Sequence, residues 1–73
     1  MITFEEARIK AQSRKVLIDT AKIYENAYVF SYSKGFSLAE TDDVVVLKDS
    51  GDVYCKSQIK ETDLGDLITI KEL

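Results

Sequence analysis

The chain has 73 residues, 45% of them hydrophobic and 32% charged, with a formal net charge of −3. That balance belongs to a globular chain rather than a disordered one, its length suits a single domain over 1–73, and no apolar run approaches the roughly 18 residues of a membrane span. Histidine is absent and cysteine occurs once, which removes the commonest general base, the commonest zinc ligand and any internal disulfide.

The first element is announced by its cap. Thr3 followed by Glu6 is the S/T-x-x-E capping box, in which the hydroxyl takes an orphan amide and the carboxylate returns to the threonine amide. Phe4, Ala7 and Ala11 recur at helical spacing, Ile9 lies off that stripe, and Arg14 and Lys15 suit the negative end of a helix dipole. The pattern predicts a helix over roughly 3–14. The acids at Glu5 and Glu6 stand where a signal peptide would carry bases ahead of an apolar stretch, and the lone Cys55 fits a reducing compartment, so the expected location is the cytoplasm.

Beyond the helix the period changes. Val16-Leu17-Ile18 is an apolar cluster rich in β-branched residues, and Ile23-Tyr24 continues it after a polar stretch. The run Ala27-Tyr28-Val29-Phe30-Ser31-Tyr32-Ser33 is the best strand in the chain, with Tyr28, Phe30 and Tyr32 on one face and Ala27, Val29 and Ser31 on the other. Lys34-Gly35 marks a turn, Phe36 to Glu40 suits an edge strand or a loop, and Thr41-Asp42-Asp43 is loop chemistry. Val44 to Leu47 and Val53 to Cys55, separated by Lys48-Asp49-Ser50-Gly51-Asp52, read as a β-hairpin whose Gly51 supplies a positive φ and whose Asp49 bonds back to the turn amides. The tail from Leu64 to Ile70 offers a last short strand or an irregular closing segment. The expected fold class is α+β, with the N-terminal helix packed on one face of an antiparallel sheet of three to four strands.

No constellation of catalytic groups emerges. Asp49-Ser50-Gly51-Asp52 shares a fragment with calcium loops but lacks their alternating ligands and terminal glutamate, so it reads as a turn. Asp42 and Asp43 are adjacent, which on a strand would send them to opposite sides, and no histidine is present to activate Cys55 or a serine. A chain this small buries only about 60% of its unfolded surface, leaving little room for a deep water-excluding cavity. The expectation is a protein that is not an enzyme and takes no metal or cofactor.

Charge points instead to binding. Residues 1–38 carry six bases and four acids, whereas residues 39–73 carry four bases and nine acids. An acidic C-terminal half repels phosphate backbones and attracts basic protein surfaces, so nucleic acid is not the expected partner and neither is a membrane. One helix covers one sheet face only. The aromatic stripe is therefore either core or an interface, and the second face must stay polar, be covered by the tail or meet a partner.

Three stretches carry a family resemblance: Ile2-Thr3-Phe4-Glu5-Glu6-Ala7 opening the helix, Tyr28-Val29-Phe30-Ser31-Tyr32 in mid-chain, and Val45-Val46-Leu47-Lys48-Asp49-Ser50-Gly51-Asp52-Val53 at the hairpin. In this order they resemble the small bacterial YrhB-like immunity proteins, with Tyr28 where a tryptophan is typical and Ser50 where threonine is usual. The resemblance implies a cytoplasmic protein that neutralises a toxin by direct binding. On that reading the candidate contact residues are Tyr28, Tyr32, Glu40, Asp42, Asp43, Asp49 and Asp52, and the partner is a basic toxin or another protein. The opening and the hairpin also resemble PepSY-type inhibitory domains, which are usually exported or membrane-tethered. A further alternative is a self-associating structural or regulatory module, a homodimer formed along an exposed strand edge.

Overall fold

The computed structural model describes residues 1–14, 18–32 and 43–73. Helix α1 runs from Phe4 to Arg14 and begins as its capping box dictates. The Glu6 amide donates to Thr3 Oγ1 at 3.2 Å, and the Thr3 amide donates to Glu6 Oε1 at 3.2 Å. Glu5 and Glu6 lie in its first turn and Arg14 in its last, each complementing the nearer pole of the helix dipole. Ala7 and Ala11 are fully buried, while off-stripe Ile9 stays 66% exposed. With alanines on its inner face, the helix sits close against the sheet.

Five strands follow: β1 (Thr20–Tyr24), β2 (Ala27–Ser31), β3 (Val44–Leu47), β4 (Val53–Cys55) and β5 (Leu67–Glu72). They form one sheet in the order β4-β3-β2-β1-β5, and every neighbouring pair is antiparallel. The sheet is thus one strand larger than the upper expectation, because both Thr20–Tyr24 and the tail join it. Tyr24 pairs with Leu67 and Ile23 with Thr69, so Ile68 is a bulge in β5. The expected turn at Lys34-Gly35, the segment Phe36 to Glu40 and Thr41-Asp42 lie outside the described residues.

Both faces of the central strands are covered. On the first, α1 packs over β2 and β3, where Ala21, Tyr28, Phe30, Val44 and Val46 meet Ala7 and Ala11, with Ile2, Phe4 and Ile23 at the margin. The Phe4 ring meets Tyr28 edge-on at 5.6 Å between centroids and Phe30 at 5.7 Å. The Lys71 ammonium from β5 lies 5.0 Å from the centroid of the same Phe4 ring, within the reach of a cation–π contact.

The second face is closed by the segment between β4 and β5. Those strands occupy opposite edges, so the connection must cross the sheet. It does so through a 3-10 turn at Lys56–Gln58 and a short helix α2 at Glu61–Leu64. Leu64 is fully buried against Ala27, Val29 and Val45, flanked by Tyr24, Leu47 and Ile59. Val44-Val45-Val46 is buried throughout, because alternate residues feed the two separate cores. Gly65, at φ 80°, turns the chain from α2 into β5, a conformation that costs a residue with a Cβ considerably more than glycine.

Candidate functional site

In an antiparallel sheet alternate connections fall at the same end, and here that end collects carboxylates from across the chain. The β1–β2 turn brings Glu25, the β3–β4 turn brings Asp49 and Asp52, and the approach to β5 brings Asp63 and Asp66. Helix α1 starts at the same end with Glu5 and Glu6, since the Ile2 amide donates to the Lys48 carbonyl at 3.0 Å. All seven residues are exposed.

Backbone hydrogen bonds hold these connections together. The Lys48 amide donates to the Asn26 carbonyl at 2.9 Å, the Asn26 amide to the Leu64 carbonyl at 2.9 Å, and the Glu25 amide to the Asp66 carbonyl at 3.0 Å. Glu25 Oε1 then accepts the Asp66 amide at 2.9 Å. In the hairpin turn the Gly51 amide donates to the Leu47 carbonyl, and the Asp52 amide donates to Ser50 Oγ at 3.2 Å. The side chain that bonds back to the turn is therefore Ser50, in place of the expected Asp49. Gly51 adopts the positive φ predicted for it, 73°.

Lys10 and Lys48 reach this end, and each makes a contact there. Lys10 Nζ donates to the Gly51 carbonyl at 3.0 Å, and Lys48 Nζ lies 5.0 Å from the centroid of the Tyr28 ring. Both keep their charge, and the field at this pole is negative because the seven carboxylates outnumber them. The carboxylates are spread around a rim: among the described residues no three of the His, Cys, Asp and Glu side chains group closely enough to hold a metal ion. A dispersed set of like charges acts on a partner as a field extending about one Debye length, roughly 8 Å at physiological salt.

The candidate contact residues from the sequence do not form one surface. Tyr28 is corrected outright: it is 9% exposed and belongs to the helix-side core, because its strand position faces α1 and its ring is packed against Phe4. Tyr32 follows β2 at the opposite end of the sheet and is 38% exposed. Asp43, half-buried, precedes β3 at that opposite end, where its carbonyl accepts the Lys56 amide at 2.8 Å. Glu40 and Asp42 lie outside the described residues. Of the five described candidates, Asp49 and Asp52 sit on the acidic pole.

Sequence reasoning placed negative charge in the C-terminal half and so passed over Glu5, Glu6 and Glu25. The available signal was their position, beside turns or at a helix start, which an antiparallel sheet with short connections delivers to one end. Among the described residues no helix is long and apolar enough to cross a membrane. The chain matches no family model, no curated protein and no solved structure.

Proposed function

We propose that the chain is a small cytoplasmic protein-binding module that acts by contact and not by catalysis, docking its acidic pole on a basic surface of another protein. The reading rests on one observation: seven exposed carboxylates converge on one end of the sheet, where they outnumber Lys10 and Lys48, which lie against a carbonyl and an aromatic ring. The resemblance of the helix opening, the aromatic strand and the hairpin to YrhB-like immunity proteins gives the partner a class, a basic toxin neutralised by direct binding. Complementary charge of this kind acts mainly on the rate of encounter.

The test is capture by the immobilised chain at low and high salt, beside a variant carrying Asp49→Lys, Asp52→Lys, Asp63→Lys and Asp66→Lys. A basic protein held by the native chain, released by salt and ignored by the charge-reversed variant supports the reading. Capture that is indifferent to both salt and charge reversal refutes it.

A further inference from the structure

We infer that β5 is a self-pairing edge, along which two copies of this chain join into a continuous ten-stranded antiparallel sheet. The inference stands on a different part of the molecule from the acidic pole and does not depend on it. All six residues of β5 are exposed, including Leu67, Ile68 at 60% and Ile70 at 54%. Natural edge strands are usually short, charged, proline-bearing or covered. This one is the longest strand of the sheet and carries three large aliphatic side chains and no proline; its charges, Lys71 and Glu72, are confined to its C-terminal end and its bulge, at Ile68, to its first half.

The register shows which backbone groups are open. The Leu73 amide donates to the Asp19 carbonyl at 2.8 Å, and the pairing continues through Glu72 with Thr20, Lys71 with Ala21, and Ile70 with Lys22. Antiparallel residues alternate between bonding inward and pointing outward. Leu73, Lys71 and Thr69 therefore bond toward β1, and Ile70 and Glu72 direct both N–H and C=O to the outer side, where no strand lies among the described residues. Two such edges related by a two-fold axis normal to the sheet can exchange these groups.

Charge selects the occupant and the register. Centred on Ile70, the antiparallel pairing sets Ile70 against its own copy, Ile68 against Glu72 and Thr69 against Lys71, so no like charges face each other. Moving the centre to Lys71 opposes two lysines, and moving it to Thr69 opposes Glu72 with Asp66; directly opposed like charges destabilise a sheet pair. The antiparallel sense also carries the two acidic poles to opposite ends of the joined sheet, whereas a parallel pairing would set them side by side. A second copy satisfies the open amides, the aliphatic side chains and the charge pattern together.

The experiment is light scattering of the full chain from micromolar to millimolar concentration, with Ile70→Asp and Ile70→Pro as variants. Ile70→Asp opposes two carboxylates across the two-fold axis, yet within one copy the new carboxylate neighbours Lys22. Ile70→Pro removes an amide that points away from β1, so the pairing with β1 keeps its hydrogen bonds. The expected result is a mass that doubles with concentration for the native chain and stays monomeric for both variants, whose circular dichroism matches the native spectrum. Hydrogen exchange reads the same event independently, with the Ile70 and Glu72 amides slowing as concentration rises. A native chain that stays monomeric at millimolar concentration overturns the inference, even if those amides become protected when a foreign protein binds. A dimer that survives both substitutions also overturns it, because its interface then lies elsewhere.

Discussion

Replacing Leu64 with alanine tests whether the segment between β4 and β5 is an integral layer of the fold. Leu64 is fully buried and carries α2 into the second-face core, resting on Ala27, Val29 and Val45. Removing three buried carbons forfeits about 2.4 kcal/mol of transfer free energy at roughly 0.8 kcal/mol each. A cavity term adds to this, moderated because a four-residue helix at the surface can settle toward the sheet. The expected loss is about 3 kcal/mol, inside the range of roughly 2–5 kcal/mol for buried leucines. A chain of this length has a total stability of about 4–11 kcal/mol at ordinary per-residue values, so the substitution removes a quarter or more of it. At roughly 4–8 °C per kcal/mol for a domain of this size, the midpoint falls by about 12–24 °C. Urea unfolding of Leu64→Ala beside Val45→Ala, which truncates the partner beneath it, is the assay. A loss below about 1 kcal/mol for Leu64→Ala with an unchanged m-value, against a large loss for Val45→Ala, refutes the packing argument.

Two further substitutions probe backbone devices. Thr3→Ala deletes the hydroxyl that accepts the Glu6 amide and should cost about 1 kcal/mol, read as a lower denaturant midpoint with an unchanged m-value. Gly65→Ala places a Cβ 2.9 Å from Glu25 Cβ in a residue at φ 80°. A cost of about 1–3 kcal/mol is expected, and a neutral result by thermal melting would show that the turn into β5 has another route.

The elements legible in the sequence are those whose information is local. The Thr3/Glu6 box and the Phe4, Ala7, Ala11 stripe specify α1 without reference to the rest of the chain, and Gly51 between the apolar runs Val44–Leu47 and Val53–Cys55 specifies the β3–β4 hairpin. Strand β1 was harder to read, because Ala21 and Ile23 face the helix side while Lys22 and Tyr24 face the other. Its second face carries a lysine, which breaks the apolar run. Helix α2 has four residues, too few to display a period, and Leu64 became meaningful only once the chain had folded back across Val29 and Val45. The acidic pole was least legible. Its members are separated by up to 61 positions, from Glu5 to Asp66, and only the topology joins them.

The pole and the open edge place opposite demands on the molecule, and the topology keeps them apart. Self-pairing requires two chains of net charge −3 to approach, which their mutual repulsion opposes most strongly where carboxylates are dense. Along β5 the side chains of Ile68, Thr69 and Ile70 separate Asp66 at one end from the adjacent Lys71 and Glu72 at the other. The approach is therefore centred on an uncharged and exposed stretch of the C-terminal half. Because the pairing is antiparallel, each pole lies at the end remote from its copy, and the joined sheet presents two acidic surfaces facing away from one another. Binding of two basic partners would then proceed without steric conflict between them. A stoichiometry of one partner per chain should hold for the native protein and for Ile70→Asp alike, with linked, avid binding to an immobilised partner lost in the variant. If the variant instead lost binding to a single soluble partner, the edge and not the pole would be the contact surface.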